Sequence, residues 1–342
     1  MVAAYAYDEL FLEHTYPGHP ESADRLEAIM RHLQETGLLR RLTAIEPHPA
    51  TKNQIGRFHT DEYIERVKQL SERGGGHLDP DTYANSQTYA AAMLAAGALI
   101  EITQAVLARR VRNGFALVRP PGHHAVMGRG MGFCIFNNIA IAALEALQDP
   151  AVERVLIYDF DVHHGNGTQD AFEADPRVLF ISTHQYPHYP GTGAATDIGI
   201  GGGVGTVLNI PLPPGVGDAG YSKVMAEVAW PIAQRYQPDL ILVSAGFDAH
   251  WSDPLAMMTL SLHGYAGIAR SLVALADDLC DGRIILTLEG GYDRTVLAYG
   301  VENVFHALLG DDSESDPVGP APYEERSVEH RIAELKKIHC LV

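Results

Sequence analysis

The chain has 342 residues, 46% hydrophobic and 20% charged, an ordinary globular balance with enough length for a sizeable core. Its 25 Lys and Arg stand against 43 Asp and Glu, a formal net charge of −18 at pH 7, which argues against a nucleic-acid binder because phosphate neutralisation needs clustered cations. Cys134, Cys280 and Cys340 are far apart and form no CxxC pair, which argues against a disulfide framework or a thiolate zinc site.

The N-terminal "MVAAYAYDELFLEH" lacks a basic n-region and a long apolar core, so no signal peptide is expected. Periodicity predicts helices over 22–36, 61–72, 86–109, 137–147, 220–236, 262–280 and 293–309. The most apolar run, "YAAAMLAAGALI" (89–100), stops at Glu101, short of the roughly 20 residues that span a bilayer. A buried helix and a cytoplasmic location, with no membrane partner, are the expectations. Between the helices lie five apolar runs: "GFALVRP" (114–120), "RVLIYDF" (154–160), "RVLFIST" (177–183), "DLILVSAGF" (239–247) and "RIILTLEGG" (283–291). Strands apolar throughout, alternating with helices, predict an α/β fold of three layers, α/β/α, around a central, mostly parallel sheet. Residues 1–310 are expected to form one domain. An acidic, Ser/Pro/Gly-rich linker beginning "DDSESDPVGPAP" (311–322) follows, and then a tail, "SVEHRIAELKKIHCLV", with the pattern of an amphipathic helix, so 311–342 is set apart.

Four of the strands run into polar clusters: "RPPGHH", "DFDVHHGNG", "SAGFDAH" and "LEGGY". In open parallel sheets ligands bind beyond the carboxyl ends of the strands, so these four clusters are expected to converge. Asp161 and His163 stand two residues apart, which in extended chain points both side chains to one side. Asp248 ends another buried strand. Two carboxylates and one imidazole, without thiolate, suit an open catalytic zinc site, and Fe(II) or Co(II) would accept the same donors. Taken singly, D-x-H is a weak signal, and an Asp after a strand is commonly a cap or turn residue. His123 and His124, in a turn stiffened by Pro120, Pro121 and Gly122, fit a general base and an electrostatic partner. Asp159 and Asn166 are candidates to set their tautomers. Gly290 and Gly291 allow close backbone approach, and the phenol of Tyr292 can stabilise a developing oxyanion.

Together, "RPPGHHA", "DFDVHHGNGTQDAF", "YPGTG", "SAGFDAH…DP" and "LEGGY", occurring in this order, resemble the histone deacetylase family, with its arginase-like deacetylase fold. The match runs from "GHPESADRL" (18–26) to "LLGD" (308–311), and Asn166 and "LEGGY" make the chain more similar to class II enzymes and their bacterial relatives. The resemblance implies that Asp161, His163 and Asp248 bind zinc and that His124 is the principal general base and acid. It makes His123 the electrostatic partner, oriented by Asp159, with Asn166 orienting His124, and Tyr292 polarising the scissile carbonyl. It also implies two structural potassium ions, one at Asp159, Asp161, His163, Ser182 and Thr183, mostly through backbone oxygens, and one at Phe172, Asp175 and Val178. Gly132 and Phe133 of "GFC" and Tyr189 of "HYPGTG" match positions of the substrate tunnel, where the second aromatic is usually Phe. Asp81 of "LDPDTYANS", with Asp79 beside it, matches an acidic rim residue that holds substrate backbone, and Arg25 resembles a residue of the product channel. Relatives that prefer polyamines carry a Glu seven residues after the last zinc ligand; here that position is Leu255.

The implied activity is hydrolysis of N6-acyl-lysine, most naturally acetyl-lysine. A metal-bound water would attack the amide carbonyl, with the tandem histidines handling the proton and Tyr292 holding the oxyanion. An acetylpolyamine or other small N-acyl amine is the alternative substrate, and a non-catalytic acyl-lysine binding module is the alternative of another class. Hydrolysis of a guanidinium group on the related fold would want more Asp and His ligands than can be assigned. An oligomer is compatible with the sequence.

Overall fold

The computed structural model describes residues 2–341. Ten strands occur: β1 (Ala4–Ala6), β2 (Thr43–Ala44), β3 (Gly75–Asp79), β4 (Thr82–Asn85), β5 (Gly114–Ala116), β6 (Val155–Asp159), β7 (Val178–Gln185), β8 (Val207–Leu212), β9 (Leu240–Ala245) and β10 (Ile284–Leu288). Eight form one sheet in the order β2-β1-β5-β10-β9-β6-β7-β8, and every pairing in it is parallel. β3 and β4 form a separate antiparallel hairpin. The residues of β5 to β10 are buried along their whole length, which requires cover on both faces of the sheet and explains their unbroken apolar runs.

The five predicted strands lie within their predicted windows or extend two residues beyond, as β7 does to Gln185. Three strands of the sheet escape the pattern. β1 and β2 are three and two residues long, and β8, "VLNIPL", carries Asn209 and Pro211; Pro is tolerated there because β8 is an edge strand. The helix expected over 220–236 runs from Asp218 to Tyr236 but contains a π-helical turn at Met225–Ala229.

The helix Thr88–Leu107 continues through Glu101 and is 20 residues long. It is therefore long and apolar enough to cross a bilayer, contrary to the expectation drawn from the run alone, yet 15 of its residues are buried in this fold. The segment read as a linker is held along its length. Gly319 O accepts from Trp251 Nε1 at 2.9 Å, Glu314 pairs with Arg270 at 2.9 Å, and Glu325 accepts from the backbone of Ala219 and Gly220. The helix Glu329–Ile338 then buries Ile332 and Leu335 against the same body and pairs Lys336 with Glu227 at 2.5 Å.

Candidate active site

The four polar clusters follow β5, β6, β9 and β10, and those strands are consecutive neighbours in the sheet, β5-β10-β9-β6. Parallel pairing puts their carboxyl ends on one side. A cavity of about 240 Å³ opens there, lined by Asp81, Pro121, His123, His124, Gly132, Phe133, Asp161, His163, His188, Tyr189, Leu255, Gly290 and Tyr292. A larger groove of about 470 Å³, between the helices Thr88–Leu107 and Asn138–Ala146, contains no histidine or cysteine and lies away from these clusters.

β6 ends at Asp159, so Asp161 and His163 do not alternate along an extended strand as expected. Two turns bring them together instead. Asp159 Oδ1 accepts from the Asp161 N–H at 3.1 Å, and Asp161 Oδ1 accepts from the His163 N–H at 2.9 Å. This is the local bonding to which Asp is suited in turns. A short helix, Asn166–Phe172, follows at once; its "NGTQDAF" has too little apolar content to be visible in the sequence.

The ring Nδ1 of His163 lies 3.1 Å from Asp161 Oδ1 and 3.2 Å from Asp248 Oδ2, and one donor atom from each of the three residues lies within 4.8 Å of the others. Asp248 Oδ1 accepts from the Val162 N–H at 2.9 Å. Its Oδ2 is buried and, being poorly aligned to His163, has no hydrogen-bond partner. A buried carboxylate oxygen without a partner is costly, and a divalent cation held between the two carboxylates and the imidazole would satisfy it. The donor set, two oxygens and one nitrogen, fits such an ion. Gly290 makes room for it: a Cβ there would collide with the carboxylates of Asp248 and Asp161.

His123 and His124 lie beside this group, their rings tilted by 40° with centroids 4.0 Å apart. His123 Nδ1 bonds Asp159 Oδ2 at 3.0 Å, and His124 Nδ1 bonds Asn166 Oδ1 at 2.8 Å. Burial disfavours charge on both rings. For His123 the carboxylates of Asp159, Asp161 and Glu289 outweigh burial and hold it up at about 10. For His124 burial, with His123 and His163 nearby, holds the ring well below the ordinary histidine range. The surroundings thus favour the charged form of His123 and the neutral form of His124, the kind of division that pairs of titratable groups in active sites show.

The walls are aromatic. Tyr189 stands edge-on to His124, with centroids 5.1 Å apart. Phe133, at φ +69°, stands edge-on to Tyr292 at 6.0 Å. Gly132, at φ +55°, lets the chain pass so close to His124 that a Cβ would enter the imidazole. Burial keeps the Tyr292 phenol well above the usual tyrosine range, so it is a proton donor at neutral pH. Arg25 lies below it, its guanidinium 5.1 Å from the Tyr292 ring, and donates to Gly291 O at 2.7 Å and Glu289 O at 2.5 Å. Leu255 and the exposed Asp81 stand at the mouth. Burial and Asp79 both push the Asp81 carboxyl above its ordinary range.

Of the residues implied for potassium, Ser182 bonds His184 through its hydroxyl at 2.9 Å, Thr183 bonds Tyr158 at 2.9 Å, and the Asp175 carboxylate pairs with Arg177 at 2.6 Å. Phe172 O accepts from Asp175 N at 2.9 Å, and Asp175 O from Val178 N at 3.2 Å.

Three further positions at the site were given no role by the sequence reading. His188 stacks on His163, with centroids 5.0 Å apart, and its Nε2 bonds Leu255 O at 3.0 Å. Glu289, buried and pushed up to about 7 by burial, accepts from the N–H groups of Gly122 at 2.7 Å and His123 at 3.2 Å. Asp253 does the same for Tyr292 and Leu255. The available signal for Glu289 was a carboxylate directly after an apolar strand; Asp253 had none beyond its place in the "DP" of the quoted motif.

The profile of the histone deacetylase domain matches residues 19–308. A probable deacetylase of Archaeoglobus fulgidus is 40% identical over 353 residues, covering 99% of this chain and 98% of that protein. Histone deacetylase 14, chloroplastic, of Arabidopsis thaliana is 42% identical over 351 residues, covering 96% of this chain and 83% of that protein. The crystal structure of the HDA15 HD domain superposes with a TM-score of 0.90 at 37% identity, covering 99% of this chain and 96% of that one.

Proposed function

Because this chain belongs to the histone deacetylase family, we propose that it hydrolyses the amide of N6-acyl-lysine, with acetyl as the preferred acyl group. The observation that supports this reading best is the meeting, in one cavity, of an Asp–His–Asp donor set, a neutral imidazole beside a cationic one, and a protonated phenol.

Asp161, His163 and Asp248 would hold the metal, zinc or another borderline divalent ion. When bound there, such an ion supplies Lewis acidity and lowers the pKa of water to about 7, so that no covalent nucleophile is needed. Asn166 accepts the Nδ1 proton of His124, which leaves the Nε2 lone pair facing the cavity. That nitrogen takes the proton of the attacking water and then delivers it to the leaving amine. His123, kept protonated by Asp159, places positive charge beside the developing tetrahedral centre. The Tyr292 phenol donates to the carbonyl oxygen as it becomes an oxyanion, an interaction that strengthens in the transition state. Phe133 and Tyr189 flank an aliphatic chain, and Leu255 adds an apolar wall where a carboxylate would attract a cationic amine. Potassium at the backbone oxygens near Asp159 and Phe172 would offset the carboxylates crowded there.

The test is kcat/KM of the zinc-loaded protein on an acetyl-lysine peptide and on acetylspermidine, side by side, with a metal-stripped control. Preference for the peptide is expected. Preference for acetylspermidine would move the substrate class to small acylated amines. The absence of turnover on both, with acetyl-lysine peptide still bound, would mean a binding module.

A further inference from the structure

We propose that Asp253 is a positioning residue that holds Tyr292 and Leu255 in place together, by accepting a backbone N–H from each on its two carboxylate oxygens. The proposal rests on the reading of Tyr292 as the oxyanion donor and goes beyond it. Asp253 Oδ2 accepts from the Tyr292 N–H at 2.7 Å and from the Asp293 N–H at 3.4 Å. Asp253 Oδ1 accepts from the Leu255 N–H at 2.9 Å. The side chain thus bridges the segment after β9, which supplies the Leu255 wall, and the segment after β10, which supplies the phenol.

Three features make this bridge more than a turn. Asp253 is only 5% exposed, and no basic side chain is among the groups that bear on it. An unpaired buried carboxylate is expensive to keep, and here backbone N–H groups are its compensation. Second, Tyr292 needs an anchor. It follows Gly290 and Gly291, the latter at φ +115°, so the chain before it has little stiffness of its own. No hydrogen bond holds its phenol among the described residues, and the ring is set by its backbone, by Arg25 at 5.1 Å and by Phe133 at 6.0 Å. Third, a neighbouring bond supplies a control. Ser252 Oγ donates to Asp293 Oδ2 at 2.7 Å, joining the same two segments without touching Tyr292 or Leu255.

A double-mutant cycle on zinc-loaded protein tests this, with kcat on an acetyl-lysine peptide as the readout. Asp253→Asn preserves volume but replaces one of the two accepting oxygens with an NH2 group, which cannot accept from the N–H on that side. It is expected to lower kcat by tenfold or more, within the about 10²-fold that an ångström of misplacement can cost. Added to Tyr292→Phe, it should lower kcat by less than about twofold further, since residues acting through one group are not additive. Asp253→Glu, which keeps the charge and shifts the oxygens, gives the same cycle if the Asn variant does not fold. Ser252→Ala should melt lower with kcat within about twofold of wild type, as surface-loop changes away from the chemistry do. Additive losses in the cycle, or an equal loss of kcat in Ser252→Ala, would overturn the proposal alone. Undiminished kcat in Tyr292→Phe would overturn the reading of the site, and the proposal with it. The peptide-to-acetylspermidine ratio of kcat/KM should also shift in Asp253→Asn in the direction seen for Leu255→Ala; an unchanged ratio would remove Leu255 from the role.

Discussion

His124 Nδ1 lies 2.8 Å from Asn166 Oδ1, whereas the adjacent ring is bonded to a carboxylate. The Asn166 amide nitrogen points instead toward His124 O at 3.5 Å and the Met131 sulfur at 3.7 Å, so the oxygen faces the imidazole. An acceptor at Nδ1 fixes the tautomer with its lone pair on Nε2. Asn166→Leu, similar in size but unable to accept, should lose about 10- to 100-fold in kcat, the usual scale for such orienting partners. Asn166→Asp, which still accepts, should stay within reach of wild type. Steady-state kinetics at one pH with saturating peptide would separate the two, and equal losses would mean that Asn166 matters for packing alone.

Asp161 and Asp248 converge on the same imidazole nitrogen, and a cation between them would relieve their mutual repulsion as well as satisfy Asp248 Oδ2. A ligand bound only by the folded state stabilises it by about 2.7 kcal/mol at a hundred times Kd. Calorimetry of protein stripped of metal should therefore show a Tm that rises on adding zinc. In Asp248→Ala the rise should be largely lost. A shift of the same size in that variant would put the ion elsewhere.

The parts of this architecture that show in the sequence are those in which burial and polarity collide. β6, β7, β9 and β10 are long, apolar and bounded by charge, and the candidate metal donors and tandem histidines stand out because several such clusters follow core strands together. β1 and β2 are too short for a periodic signal, and β8 hides behind Asn209 and Pro211. Asp253 and Glu289 were passed over for a different reason. They act on backbone N–H groups of residues 39 and 167 positions away, and a side chain that bonds distant main chain leaves no spacing to read. His188 is similar: its place against His163 and Leu255 follows from how two loops meet.

Leu255 lines the cavity, and it is half-buried. Leu255→Glu would bring a carboxylate to a partly solvated position, where an ion pair with an ammonium is worth about 1 kcal/mol at most. The ratio of kcat/KM for acetylspermidine to that for an acetyl-lysine peptide should rise about fivefold, which is that energy expressed as a rate ratio. Raising the salt should shrink the gain, since exposed pairs are screened. A ratio that does not move would mean that the charge of the substrate chain is sensed at Asp81 rather than at Leu255.

His59 offers a pH test far from the metal donors. It is 2% exposed, its Nε2 accepts from the Asn137 N–H at 2.9 Å, and its Nδ1 donates to Met127 O at 3.1 Å. The bond from Asn137 needs the Nε2 lone pair and therefore the neutral ring, and burial pushes its pKa down to about 4. The unfolded chain takes up this proton near pH 6.5, so it binds more protons than the fold between pH 6.5 and about 4. The contribution is therefore complete above pH 6.5 and is lost as pH falls toward the folded value, at about 1.4 kcal/mol per pH unit and about 3 kcal/mol in all. His59→Gln cannot titrate. Whatever its stability at pH 7, denaturant melts at pH 7 and 4.5 should show it losing about 2–3 kcal/mol less than wild type across that interval. Parallel losses in both proteins would mean that His59 is charged in the fold and that the bond from the Asn137 N–H to Nε2 is not made.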